Sequence, residues 1–479
     1  MPIVVVNIVP KMSSGETNQD AEPNLAVDPS NTQHLAASAF TLSVAGHPGR
    51  APIYVSDDGG NSWRLNHIVP AATPPGPDKG GQATQDITVR FSPKGGRLYA
   101  SILRVPRIVA TQPRLNILRS TDFLAVDVLM TVLVDRNDVD QPYVQVGTPA
   151  TGADSAKDRV FVGSNDFGQA GGQTATVDVS QDGAAAAPPS PSGFKRDQIE
   201  ARAPFGQDAP AIRPAVHSDG TVYAAFYHWT AQPSANIITT DVIVVRDDNW
   251  ASGATPFSAL TDPSDGVRGR KVVTGRALPF NVTAAGLGQE RLAGSDLSIA
   301  VDPTNSSNVW IAWADRIGAN DYTLHVRRST DKGVTWSADL KTVTNGKNPA
   351  LAVNSDGQVG FMYQQLTGAG ATQRWVTHIE RTSDAFAHVD DKILATTPAA
   401  QPVSPPGQFP YLGDYAHMLA VGRDFYGIFC ANNTPDHANF PQGVTFQRNA
   451  DFTTKQLLNL DGTTPVAISI DPFFFKVTG

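Results

Sequence analysis

The chain has 479 residues, 41% of them hydrophobic, enough for a large core arranged as roughly two to four domains or as one large repeat fold. A net charge of −8 and the lack of any basic run exclude nucleic acid as an expected partner. Only 17% of residues are charged, against 41 Gly and 36 Pro, a balance that suits short strands and turns and argues against long helices.

In chain order, residues 3–9 read as a β-strand. The segment lacks a basic region and a small-residue cleavage site and is too short to span a membrane. No other run is apolar enough to cross a bilayer, so no membrane association is expected. The chain reads as a cytoplasmic protein or a mature secreted form. The one cysteine, Cys430, rules out an intramolecular disulfide and sits in a strand-like run, where a buried inert thiol is expected.

Repeats follow. Residues 22–31 and 296–305 each hold an apolar strand and a Pro-containing turn, and each leads into a second apolar strand. Ser56-Asp57-Asp58-Gly59-Gly60-Asn61-Ser62-Trp63 and Ser329-Thr330-Asp331-Lys332-Gly333-Val334-Thr335-Trp336 both fit S-x-D-x-G-x-[ST]-W. They stand at matching distances from the turn proline, 56 − 29 = 27 and 329 − 303 = 26. In such a motif the Asp accepts backbone hydrogen bonds of its own turn, Gly takes a left-handed conformation, and Trp folds back and is buried. Weaker copies begin near Asp86, Gln141, Arg213, Asn348 and Asp414, with degenerate motifs at Ser120-Thr121-Asp122 and Ser180-Gln181-Asp182-Gly183. From Val27 to Val421 there are six steps, (421 − 27)/6, or about 66 residues each.

The S-x-D-x-G-x-[ST]-W motif is the Asp box (the BNR repeat), and with the repeats it resembles the sialidase-like β-propeller superfamily over most of the chain. The resemblance implies an all-β propeller of four-stranded antiparallel blades, seven preferred over six, in one domain spanning 1–479. The strands at 3–9 and 466–470 are expected to close the ring. Low-complexity stretches at 71–77 and 184–191 read as surface insertions. Pro410-Tyr411-Leu412-Gly413-Asp414-Tyr415 resembles a G-D-Y segment of bacterial sialidase-like proteins. True sialidases need three arginines for the substrate carboxylate, a Tyr nucleophile paired with Glu, and an Asp acid/base. Their first arginine lies in R-I-P; the nearest match here is Arg107-Ile108-Val109, with Val in place of Pro. No sialidase activity is expected.

In a propeller the residues before each inner strand, and those after the second strand, converge on one mouth of the central channel. The first set is Glu22, Asp86, Asp140, Arg213, Asp296, Asn348 and Asp414, five of seven acidic. Glu290 and Arg291 lie just upstream of Asp296. The second set includes Asn165, Asp166, His228, Asp315, Arg316, Gln364, Asn432 and Asn433, with Tyr143, Tyr415 and His417 nearby. Individually such acids often cap turns. Crowded on one axis they repel, which suits acid–base work or a bound cation, Ca²⁺ before Zn²⁺. Two functions are expected. One is glycoside hydrolysis with Glu22, Asp86, Asp140, Asp296 and Asp414 as candidate catalytic groups and Tyr143, Arg213, His228, Asp315, Arg316 and Tyr415 as ligand-binding groups. The other is a non-catalytic scaffold for a glycan, a small molecule, Ca²⁺ or a partner protein.

Overall fold

The computed structural model describes residues 2–40, 52–67, 83–105, 113–126, 130–185, 193–208, 211–279, 282–283, 290–291, 296–318, 321–402 and 410–479. The expected surface insertion at 71–77, most of that at 184–191, and Arg107-Ile108-Val109 lie outside the described residues. So do the side chains of Glu290 and Arg291. The described residues hold strands and short 3-10 turns and no α-helix.

Six four-stranded antiparallel sheets and one five-stranded sheet follow one another along the chain, each four-stranded sheet hydrogen-bonded in strict sequence order. Their first strands are Ala21–Val27, Ala83–Phe91, Val139–Gly147, Arg213–Val216, Leu297–Asp302, Gly346–Val353 and His417–Val421. Each first strand touches the next, and the seventh touches the first. The apolar residues follow the same cycle. Val55 shares a buried cluster with Val89 and Phe91, Phe226 with Phe161, Trp313 with Tyr227, Phe361 with Trp310, Phe429 with Ala352, and Phe474 with Trp63. The core is therefore a set of clusters between successive sheets, and a sheet with both faces covered needs apolar residues on both sides. This is the architecture of a β-propeller.

The final sheet runs His417–Val421, Asp424–Asn432, Ile470–Val477, Ile3–Asn7 and Thr445–Phe446. Val4 pairs with Lys476 and Val6 with Phe474 in antiparallel register. The C-terminal strand that pairs with Ile3–Asn7 is Ile470–Val477, not 466–470; Pro465–Val466 belongs to a separate three-stranded sheet. The apolar run Phe473-Phe474-Phe475 fills both faces of Ile470–Val477, and all three rings are buried.

The two tryptophan turns share one set of hydrogen bonds. Ser56 Oγ donates to Asp58 and accepts from Gly60 N, while Asp58 accepts from Ser62 N and Ser62 Oγ. Ser329, Asp331, Gly333 and Thr335 repeat these contacts. Gly60 sits at φ +90, and a Cβ there would lie 2.3 Å from the Phe474 ring. Trp63 is buried and donates to Gly60 O at 2.9 Å. Trp336 is only half-buried, against the expectation, because it packs at the edge of its cluster. A third such turn was not legible in the sequence. Thr382 and Asp384 accept from Phe386 N and His388 N, with Phe386 at φ +69 in the glycine position. Asp247 does similar work, accepting from Asn249 N and Ala251 N.

Candidate active site at the starts of the inner strands

Each inner strand starts on the face opposite the tryptophan turns, so alternation of antiparallel strands brings these starts together. Three of them share a backbone device. Glu22, Gln141 and Asn348 each precede a proline and adopt φ of +51, +47 and +53. Bulges interrupt the pairing at the same places, between Ala21 and Asn24, Asp140 and Tyr143, and Lys347 and Ala350. Left-handed backbone at a non-glycine residue is costly and persists where surrounding contacts hold it. Asn348 is held by its N–H on Asp296 Oδ1 at 2.7 Å and by its amide on Gln364 at 2.8 Å. Gly413, at φ +91, packs directly on the Glu22 backbone, and Lys347 Nζ donates to its carbonyl at 2.7 Å.

The buried carboxyl groups of Glu22 and Asp86 are hydrogen-bonded to each other. Burial first, then the charges of Asp86 and Asp414, push Glu22 well above its ordinary value, and the bond to Asp86 adds to this. Asp86 is also raised by burial, while its bonds from Glu22 and Tyr415 favour its ionised form. Burial thus favours the protonated form at both groups, most strongly at Glu22. Tyr411 donates its hydroxyl to Glu22 Oε1, and Tyr415 donates to Asp86 Oδ1 at 3.1 Å. Burial and the Asp86 charge push Asp140 up to about 7.

A cationic layer lies beside these acids. The Arg213 guanidinium lies over the rings of Tyr143 at 4.6 Å and Tyr415 at 5.5 Å. Its Nη2 is buried without a hydrogen-bond partner. Arg90 Nη2 lies 2.9 Å from His417 Nε2. Burial first, then Arg90 and Arg213, hold the His417 ring well below its ordinary value, so it stays neutral. Arg90, Tyr143, Arg213, Tyr415 and His417 all line a central cavity of about 260 Å³ that runs between the inner strands toward the opposite face.

The structure thus brings together Glu22, Asp86, Asp140, Asp414, Tyr143, Arg213 and Tyr415. Asp296 is engaged in holding Asn348. His228 lies between Glu200 and Asp208. Asp315 bonds His325 Nε2 at 3.1 Å and pairs with Arg276 at 3.5 Å, while Arg316 is half-buried farther along the same strand. Sequence reasoning missed Tyr411, Lys347 and Gly413 as members of the cluster. The G-D-Y segment was the signal that held two of them.

No family model matches the chain, and no curated protein matches it. Several solved structures resemble it in fold. The phage phi92 endosialidase aligns with a TM-score of 0.47 at 12% identity, over 99% of this chain and 69% of its own. The α-L-arabinofuranosidase Arb93A of Fusarium graminearum gives 0.41 at 8% identity over 98% and 97%. The Hadza microbial sialidase Hz136 gives 0.40 at 11% identity over 86% of this chain, which spans 63% of that sialidase's length.

Proposed function

We propose that this protein is a carbohydrate-active propeller hydrolase that cleaves a glycosidic bond at the Glu22–Asp86 cluster and is not a sialidase. The seven sheets are read as seven blades of one ring, and 1–479 as a single domain built around Asp-box turns. The observation that carries the reading is the buried Glu22–Asp86 pair, with Glu22 held well above the usual carboxylate range by burial and the charges of Asp86 and Asp414. A carboxyl group kept protonated near neutral pH is what a general acid requires. Glu22 donates that proton to the glycosidic oxygen as the bond to the sugar carbon breaks. A water molecule adds to that carbon as it gives its proton to a second carboxylate, while Tyr415 and Arg213 flank Asp86 beside the acid.

A hydrogen-bonded pair is closer than the separation of about 5–5.5 Å for retention or about 6.5–9.5 Å for inversion. The pair is therefore one acid unit, and the second carboxylate comes from Asp140 or Asp414. The test is a glycan-library screen for binding and turnover with the wild type, Glu22→Gln and Asp86→Asn. Sugar release that both variants abolish supports the reading; release unaffected by either overturns it.

A second reading, a non-catalytic binding propeller, is favoured by the central cavity, which Arg90, Tyr143, Arg213, Tyr415 and His417 line and the four acids do not. In this reading Glu22, Asp86, Asp140 and Asp414 supply oxygen donors of the kind Ca²⁺ takes. The bound ion replaces protonation as what offsets their charge. Glycan or protein binding that depends on Ca²⁺, with no turnover of any sugar, supports this second reading.

A further inference from the structure

Between the third and fourth sheets, on the same face as the carboxyl cluster, lies a group with different chemistry. Glu200 and Asp208 belong to the connection that leaves Lys195–Gln198 and leads to Arg213–Val216, and His228 lies on Val222–Ser234. They are 1%, 0% and 5% exposed. Each carboxylate has one oxygen fixed by backbone. Glu200 Oε1 accepts from Ala201 N at 2.7 Å and Arg202 N at 2.6 Å, and Asp208 Oδ2 accepts from Ala175 N at 3.1 Å. Asn165 Nδ2 donates to the Asp208 carbonyl at 3.0 Å and pins that residue's backbone.

Three atoms remain: Glu200 Oε2, Asp208 Oδ1 and His228 Nδ1. All three are buried without a hydrogen-bond partner, and all lie within 4.8 Å of one another. His228 Nδ1 is 2.8 Å from Glu200 Oε2 and 3.8 Å from Asp208 Oδ1, ion-pair distances when the ring is protonated, and none of the three atoms has a partner outside the group. Donors that converge with no partner outside the group are arranged as ligands around a common point. Two donors each about 2.0–2.2 Å from one ion stand roughly 3 Å apart.

We propose that Glu200, Asp208 and His228 bind one divalent transition-metal ion of the Zn²⁺ or Mn²⁺ class. An imidazole nitrogen with two carboxylates suits borderline ions, whereas Ca²⁺ takes oxygen donors throughout. Two buried carboxylates are costly; a protonated His228 offsets one charge, whereas a divalent ion neutralises both. Arg268 adds a positive charge near Glu200, but its guanidinium is occupied by the carbonyls of Gln198 and Pro256. The competing occupant of the centre is a proton on His228.

Chelator-treated full-length protein is titrated calorimetrically with ZnCl₂, MnCl₂ and CaCl₂ at pH 7.5 and pH 9. The expected result is one equivalent of Zn²⁺ or Mn²⁺, tighter at the higher pH, with no matching Ca²⁺ site. Affinity falls at least tenfold in His228→Gln and in Glu200→Gln and is unchanged in Glu22→Gln. Should the variants misfold, the wild-type protein loaded with Co²⁺ is examined by X-ray absorption, which must show one imidazole in a mixed N/O shell. No stoichiometric binding at either pH, binding unchanged in His228→Gln, or an all-oxygen shell overturns the proposal. The site is independent of the glycosidase reading, since the Glu22→Gln arm separates the two.

Discussion

The Tyr411 hydroxyl donates to Glu22 Oε1 and so ties the connection before the seventh inner strand to the start of the first. The two residues stand at the seam of the ring, where Gly413 packs on the Glu22 backbone. Glu22 keeps its left-handed conformation because contacts from this connection hold it there.

Gly413→Ala tests that seam. A Cβ on Gly413 would lie 2.3 Å from Glu22 N, and the site has φ +91. Strain of this kind costs about 1–3 kcal/mol. The expected outcome is a lowered melting temperature and at least a tenfold loss of glycan binding or turnover. Unchanged activity with an unchanged melting temperature would show that Glu22 is positioned without this contact.

The contribution of Asp140 to stability should fall as pH rises through the acid range. A carboxyl group raised by folding binds its proton more tightly in the folded state. Its contribution is full below the unfolded value, is lost as pH climbs to the folded value, and is constant above it. For Asp140 that window runs from 3.8 to about 7. Glu16, pushed up by burial and the Asp471 charge, extends the decline to about 8. Asp140→Asn should flatten the slope of melting temperature between pH 4 and pH 7, read by thermal melts across buffers. A slope identical to that of the wild type would place the decline elsewhere.

The two motif tryptophans should differ in weight. Trp63 is buried, bonded to Gly60 and 5.4 Å from the Phe474 ring, so Trp63→Ala should cost roughly 3–5 kcal/mol. Trp336 is half-buried and should cost roughly half as much. Chemical denaturation measures both, and equal losses would contradict the difference in burial.

Sialosides should not be hydrolysed. Arg213 lies over Tyr143 and Tyr415 and faces the charges of Asp86 and Asp414, which compete with a substrate carboxylate for the guanidinium. A fluorogenic sialoside assay should give no turnover. Release that disappears in Arg213→Ala or Arg316→Ala would reverse this reading of the site.

Repetition made the sheets legible: turn prolines, apolar pairs and Ser–Asp–Gly–Trp turns recur at near-constant spacing, and their physics is local. The turn at Thr382 escaped notice because Phe386 replaces glycine and Val389 replaces tryptophan while the hydrogen bonds persist. The carboxyl cluster was legible in part, since acids precede several inner strands. Which of them meet depends on distant contacts, such as Tyr411 with Glu22, and on the bulges before Pro23, Pro142 and Pro349. The partners of His228 left no pattern, because Glu200 and Asp208 come from an irregular connection between sheets.

Pairing of Val4 with Lys476 and Phe473 with Asn7 sets the order in which the molecule becomes whole. During synthesis Ile3–Asn7 emerges long before Thr445–Phe446 and Ile470–Val477, the strands it pairs with. The sheets between can form hairpin by hairpin, but the last sheet waits for a contact spanning nearly the whole sequence, and such contacts form slowly. Until then the exposed Ile3–Asn7 edge is open to pairing with another chain, the point at which a folding helper would matter most.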